Sequence, residues 1–281
     1  MSGFTHRRLS LVTRGQQVDL AIAHRPGLGV PVLFLHGFGS TRNDWAPAAD
    51  HPGFAGHQLL AYDAPGFGQS TATDLSAVDI GFLVETARAV LAHHGMTRFH
   101  LVGHSMGGLT ALQLADADPT RVVTFTDVEG NLAPEDCFLS RQIHDHPEQD
   151  PALFLQRFSE RVAASADPAA PAFAAGLAHA VDPRVVRSVF TSMVDLSDHG
   201  NLLDRYLALP LPRQFVHGED NAHLSYLPQL ARAGVEVVSV PRAGHWPMTS
   251  NPTQFWNQLG VFIESADTAQ AGRAHRTDRA G

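Results

Sequence analysis

Short apolar runs stopped by glycine alternate with segments of helical period through the first half of the chain. "RRLSLV" and "QVDLAIAHR" alternate around Gly15, which predicts a β-hairpin. "VPVLFLHG" (30–37) is continuously apolar until its glycine, as a strand buried on both faces would be. "HQLLAYDAPG" (57–66), "RFHLVGHS" (98–105) and "RVVTFTDVEG" (121–130) predict three more such strands. Between them, "DIGFLVETARAVLAHHG" (79–95) places Ile80, Leu83, Val84, Ala87, Val90 and Leu91 on one helical stripe, and Gly95 stops it. "MGGLTALQLADA" (106–117) reads as a second helix. From about residue 30 the order is strand, helix, strand, helix, strand, helix, strand. That order predicts an α/β fold: a mostly parallel, twisted sheet flanked by helices on both faces.

The alternation stops at residue 131. Residues 131–209 contain no good strand and hold three helical segments, "ALFLQRFSERVAA", "APAFAAGLAHAV" and "PRVVRSVFTSMVDL". They read as an inserted helical cap whose Phe154, Phe158, Leu177, Val186, Phe190 and Met193 pack on the core, some of them roofing a pocket. The strand pattern resumes at "LPLPRQFVHGED" (209–220). A helix "SYLPQLARAG", a strand "VEVVSV" (235–240), a loop "PRAGHW" and a last helix "PTQFWNQLGVFIESA" follow. The expected organisation is therefore a core of residues 1–130 and 210–266, a cap at 131–209, and a small polar tail at 267–281 that is expected to be disordered.

Composition narrows the function. The 281 residues are 44% apolar and 17% charged, enough for a substantial core. The net charge is −8 and no basic cluster stands out, which argues against a nucleic-acid partner. No stretch approaches the ~20 apolar residues of a membrane span, and "MSGFTHRRLS" lacks the apolar core of a signal peptide. Cys137 is the one cysteine, so the expected compartment is the reducing cytoplasm. The histidine groups at 93–94 and 144–146 lack zinc-motif spacing and cysteine partners, and read as solvated loop residues. No metal and no cofactor is implied.

The segment "HLVGHSMGGLT" (100–110) carries the chemistry. Gly103-His104-Ser105-Met106-Gly107 is G-x-S-x-G at a strand-to-helix junction. A nucleophilic serine must project above the sheet edge, so the chain turns sharply and the serine backbone is strained. Gly103 and Gly107 relieve the crowding this creates, and Gly108 admits the next helix. The helix start then sets the Met106 N–H beside the reacting centre. The bland reading is a structural serine in a glycine-rich turn. A serine hydroxyl needs a base. His245, in "VPRAGHWPM" after the last strand, stands in the expected order, though a lone histidine is often structural. A second oxyanion donor belongs to the loop "HGFGS" (36–40), with the Phe38 N–H the candidate, His36 bracing the loop, and Gly37 and Trp246 near the substrate.

Taken together, "LFLHGFGS", "AYDAPGFGQS", "LVGHSMGG" and "AGHWP" resemble the α/β-hydrolase superfamily from about residue 20 to 265. The resemblance implies the fold and a nucleophile–histidine–acid triad, not a substrate. Gly66-x-Gly68 in "DAPGFGQS" lacks the continuation of a phosphate loop.

The acid departs from the family pattern. Most members have an aspartate three residues past the glycine ending the strand after the cap. Here that position, three past Gly218, is Asn221, a neutral residue that cannot stabilise an imidazolium as a carboxylate does. Asp220 is one residue early. The other location is the strand after the nucleophile helix, "TFTDVEGNL", which ends in Glu129. Certain haloalkane dehalogenases and the zearalenone-lactone hydrolases are similar, with a glutamate there. A carboxylate between "VVTF" and a glycine turn is costly to bury unless paired, and His245 would pair it. Glu129 is the preferred acid and Asp220 the alternative; Asp127 lies deeper in the strand.

The reading that follows is a serine hydrolase cleaving a carboxylic ester or lactone of a hydrophobic small molecule. Serine in place of a carboxylate nucleophile argues against dehalogenation and epoxide opening. Thioester or carbon–carbon hydrolysis keeps the fold and changes the bond. A ligand-binding protein on a hydrolase fold, as some hormone receptors are, would bind with only slow turnover.

Overall fold

The computed structural model describes residues 3–167 and 169–277. The N-terminal hairpin forms as the alternation predicts. β1 (Thr5–Thr13) and β2 (Gln16–Arg25) pair antiparallel, from Thr5↔His24 to Thr13↔Gln16. Arg14 and Gly15 between them have φ of 49° and 78°, the left-handed pair of a two-residue turn whose twist matches the strands. The chain continues through β3 (Gly29–Leu35), β4 (His57–Tyr62), the short β5 (Thr71–Ala72), α1 (Ile80–His93), β6 (Phe99–His104), α2 (Met106–Ala117) and β7 (Val122–Val128). The alternation implied a helix between β3 and β4. Residues Arg42–Ala49 and Pro52–Phe54 form 3₁₀ turns there instead; Pro47 lies inside the first and supplies no N–H to an α-helical ladder. α1 starts where Asp79 accepts a hydrogen bond from the Phe82 N–H at 2.6 Å, and its predicted apolar stripe is buried.

Residues between β7 and β8 are helical, as the lost alternation predicts: α3 (Arg141–His144), α4 (Pro151–Ala163), α5 (Ala170–Ala180), α6 (Pro183–His199) and α7 (Leu202–Ala208). Asp150 and Asp182 cap the first turns of α4 and α6, each followed by proline. Phe154, Phe158, Leu177, Val186, Phe190 and Met193 are all buried. The core then resumes with β8 (Arg213–Gly218), α8 (Leu227–Arg232), β9 (Glu236–Val240), α9 (Pro247–Ser250) and α10 (Pro252–Thr277).

The strands lie in the order β1-β2-β4-β3-β6-β7-β8-β9, with β5 on β2. Pairing is antiparallel around β2 and parallel from β4 onward. β6 and β7 are buried at every position because both faces are covered. Leu33, Leu35, Phe125 and Phe215 face one core with α1, α2 and the inserted helices. Val32, Phe34, Val128 and Val216 face the other, with Trp45, Phe255, Trp256 and Ile263.

The expected disorder from residue 267 is corrected. α10 runs on to Thr277, and Asp267 within it bonds the buried His100. The run of apolar positions ends at Ile263, but the helical face does not: Asp267 is the next position on that stripe. Residues 278–281 of the expected tail lie outside the described residues. Among the described residues, no helix is long and apolar enough to cross a membrane.

Candidate active site

Ser105 sits at the junction of β6 and α2 with φ 53° and ψ −119°, outside the regions a side chain normally tolerates. Its N–H donates to the Val128 carbonyl at 2.9 Å, and its carbonyl accepts from the Leu109 N–H in the first turn of α2. The glycines are explained atom by atom. A Cβ on Gly103 would lie 2.3 Å from the Gly107 carbonyl oxygen, and one on Gly107 would lie 2.3 Å from that of Leu35. Gly108 packs against β7, where a Cβ would meet an Asp127 oxygen at 2.3 Å.

The β3 exit loop lies against this turn. A Cβ on Gly37 would fall 3.1 Å from that of Ser105 and 2.6 Å from His104 Nδ1. His36 braces the loop: its Nδ1–H donates to the Gly37 carbonyl at 2.8 Å and its Nε2 accepts from the Ala64 N–H at 2.9 Å. Phe38 is buried, with its ring 4.4 Å from that of Phe190 in α6. In the "DAPGFGQS" loop, Gly68 makes room for Asp63, which pairs with Arg42 and accepts from the Gln69 N–H.

Glu129 is the first residue past β7 and has φ 54°, which turns its side chain off the strand's course. It is 8% exposed. Its Oε1 accepts from the Gly218 N–H at 2.7 Å and its Oε2 from Asn221 Nδ2 at 2.9 Å. The same Oε2 lies 3.6 Å from His245 Nδ1. Asp220 is exposed, and among the described residues no hydrogen bond or ion pair joins its carboxylate to His245. Asp127 is fully buried, and burial pushes its carboxyl well above the ordinary range. The structure thus brings Glu129, not Asp220 or Asp127, to the histidine.

Three positioning contacts have no local sequence signal. His104 Nε2–H donates to the His245 carbonyl at 2.7 Å, and burial, helped by the neighbouring His245, holds the His104 ring well below ordinary basicity. Asp167, from the inserted segment, accepts from the Gly244 N–H at 3.1 Å and from the Ser250 hydroxyl at 2.7 Å, so it grips both flanks of His245. Asn221 is the third, and its only sequence signal is that it stands where an aspartate was expected.

Ser105, Glu129, His245, Phe38, Trp246, Asp220 and Asn221 all line one cavity of about 670 Å³. Phe158, Phe173, Phe190 and Met193 of the inserted helices form apolar wall, and Glu135, Asp136 and Arg161 contribute polar atoms. One expectation about the wall changes: Gly37 packs against Ser105 and is not among the residues that line the cavity. The Met106 side chain, 1% exposed, borders a small void beside Leu35 and Tyr62.

Known proteins resemble part or most of this chain. The dihydrolipoyllysine-residue acetyltransferase component of the acetoin cleaving system of Pseudomonas putida is 39% identical over 99 residues, and the chain covers only 26% of that protein. The pimeloyl-[acyl-carrier protein] methyl ester esterase of Aeromonas salmonicida is 28% identical over 260 residues, spanning 85% of this chain and 97% of that one. A crystal structure of the E219G mutant of the N-acyl homoserine lactonase AidH with N-hexanoyl homoserine superposes with a TM-score of 0.75 at 19% identity, covering 94% of this chain and 97% of the other. Residues 32–258 match the alpha/beta hydrolase family, and with the sheet order, the strained serine and the glycine contacts already described, the chain belongs to that family.

Proposed function

We propose that this protein is a serine hydrolase that cleaves a carboxylic ester or lactone of a hydrophobic small molecule through an acyl-enzyme. The carrying observation is the meeting of Ser105, His245 and the buried Glu129 carboxylate at one cavity, with Glu129 facing His245 Nδ1 at 3.6 Å. In this reading Ser105 Oγ attacks the carbonyl carbon while His245 Nε2 takes its proton. The backbone N–H groups of Phe38 and Met106 hold the developing oxyanion, the second at the start of α2 where the helix end is electropositive. His245 then protonates the leaving alcohol, takes a proton from water as the oxygen attacks the acyl carbon, and returns that proton to Ser105 Oγ as the acid departs.

Glu129 stabilises the imidazolium that forms twice in each cycle and orients the ring through Nδ1. Its oxygens accept hydrogen bonds from the Gly218 N–H and the Asn221 amide, which fix the carboxyl group with Oε2 toward His245. The aromatic wall favours an apolar acyl or leaving group. The esterase activity named for the Aeromonas salmonicida relative, similar over nearly the whole chain, agrees with an ester substrate.

A fluorophosphonate probe tests the nucleophile. The account expects one adduct, mapped by mass spectrometry to Ser105 and absent from Ser105→Ala, whose p-nitrophenyl ester turnover falls by at least about a thousandfold. An adduct elsewhere, or unchanged turnover in the variant, would overturn the assignment.

A further inference from the structure

A cluster of metal-ligand side chains lies at the other end of the strands from Ser105. His57 opens β4 and His100 is near the start of β6, with β3 between them. Ser105 follows the far end of β6, about 16 Å away at the usual rise of a strand. Both histidines are buried, at 6% and 0% exposure. Asp267 of α10 faces both, on the stripe that continues Phe255, Leu259 and Ile263. Its Oδ1 is 3.1 Å from His100 Nε2 and its Oδ2 is 3.4 Å from His57 Nε2. One ligand atom from each of the three residues lies within 4.8 Å of the others.

Hydrogen bonding decides what these atoms offer. His57 Nδ1 is 2.7 Å from the Val30 carbonyl, which only accepts, so Nδ1 carries the proton. With Nδ1 as the donor to Val30, His57 turns Nε2 toward the Asp267 carboxylate, where either a proton on the ring or a bound cation satisfies both atoms. His100 Nδ1 is 2.8 Å from the Thr124 hydroxyl, which can accept its proton, so Nε2, 3.1 Å from Asp267, can exchange that hydrogen bond for a metal bond. An imidazole whose far nitrogen is held by a carbonyl or hydroxyl is the arrangement that orients metal-binding histidines. Around a tetrahedral ion with bonds of 2.0–2.2 Å, neighbouring ligand atoms lie about 3.4 Å apart, close to the two separations seen here.

We propose that His57, His100 and Asp267 form a binding site for a divalent transition metal of the Zn²⁺ class, which ties α10 to the sheet. Two imidazoles and a carboxylate suit Zn²⁺ or Co²⁺ over Mg²⁺ or Ca²⁺, which prefer all-oxygen shells. Water completes the fourth position, since Asp267 is partly exposed. The site stands apart from the hydrolase reading and takes no part in the ester chemistry.

The test uses the full chain stripped of metal by chelation and titrated with Co²⁺ and Zn²⁺. Calorimetry gives stoichiometry and affinity, and Co²⁺ visible absorption reports a tetrahedral nitrogen–oxygen site. The expected result is one equivalent bound, the intense bands of tetrahedral Co²⁺, and a Tm raised by saturating Zn²⁺. Asp267→Asn keeps the shape of the side chain and should bind at least about tenfold more weakly, with no Tm increase. A His144→Gln/His146→Gln control removes the surface histidines, where His144 lies near Asp145 and Asp195, and should bind as wild type does. No uptake by the wild type, uptake untouched by Asp267→Asn, or uptake lost in the surface control would each overturn the site.

Discussion

Asn221 bears directly on the proposed triad. Where most of the superfamily has its aspartate, this chain has an amide that donates to Glu129 at 2.9 Å. In the proposed triad the acid stands at the end of the neighbouring strand, and position 221 is its hydrogen-bond donor. Asn221→Asp should therefore harm activity, because it sets two carboxylates against each other and removes that donor. The expected loss in kcat/KM is about tenfold or more, whereas Glu129→Gln/Asn221→Asp should recover at least about tenfold over Glu129→Gln alone by returning a carboxylate to the usual place. A double variant as inactive as Glu129→Gln would show that position 221 cannot serve the histidine.

Asp136, on the cavity wall, is a second residue with a measurable signature. Burial pushes its carboxyl up to about 6, against the pull of hydrogen bonds from the Leu132 and Ala133 amides. A carboxyl raised above its unfolded value supports the fold fully below pH ~4 and loses that support as the pH rises through the folded value. Asp136→Asn lacks this loss, so its stability relative to wild type should rise by roughly 2 kcal/mol between pH 4 and pH 7 in urea unfolding. A pH-independent difference would contradict the assignment.

At the scale of elements, sequence pattern served well where contacts are local or periodic. The hairpin at Gly15, the α1 stripe, the three inserted helices and the G-x-S-x-G turn are all set by neighbours a few residues away, and all are present. The second half of α10 was illegible because Asp267 reads as the start of a polar tail until His57 and His100, distant in sequence, are placed against it. Asp167 was illegible for the same reason: its partners Gly244 and Ser250 lie across the insertion boundary. This contact makes the inserted segment a support for the histidine loop as well as a wall. Asp167→Ala should lower kcat about tenfold with a smaller change in KM, since it loosens the base and not the pocket. A change confined to KM, measured with p-nitrophenyl esters, would assign Asp167 to substrate binding instead.

The whole molecule separates its tasks along the strands. At the carboxyl ends of the central strands, loops from β3, β6, β7 and β8, the loop after β9 and the inserted helices converge on one cavity. Parallel strands make this possible, since every crossover returns the chain to the same edge with its loop aimed the same way. The strain at Ser105 and Glu129, both at positive φ, is confined to that edge and held by the buried sheet beneath it.

The central claim is that the acid of the triad is Glu129, and turnover of a p-nitrophenyl ester by Glu129→Gln and Asp220→Asn beside the wild type tests it most directly. The account predicts that Glu129→Gln loses at least about a hundredfold in kcat while Asp220→Asn stays within about threefold of wild type. Loss in Asp220→Asn with Glu129→Gln unimpaired would contradict it and move the acid to the loop after β8.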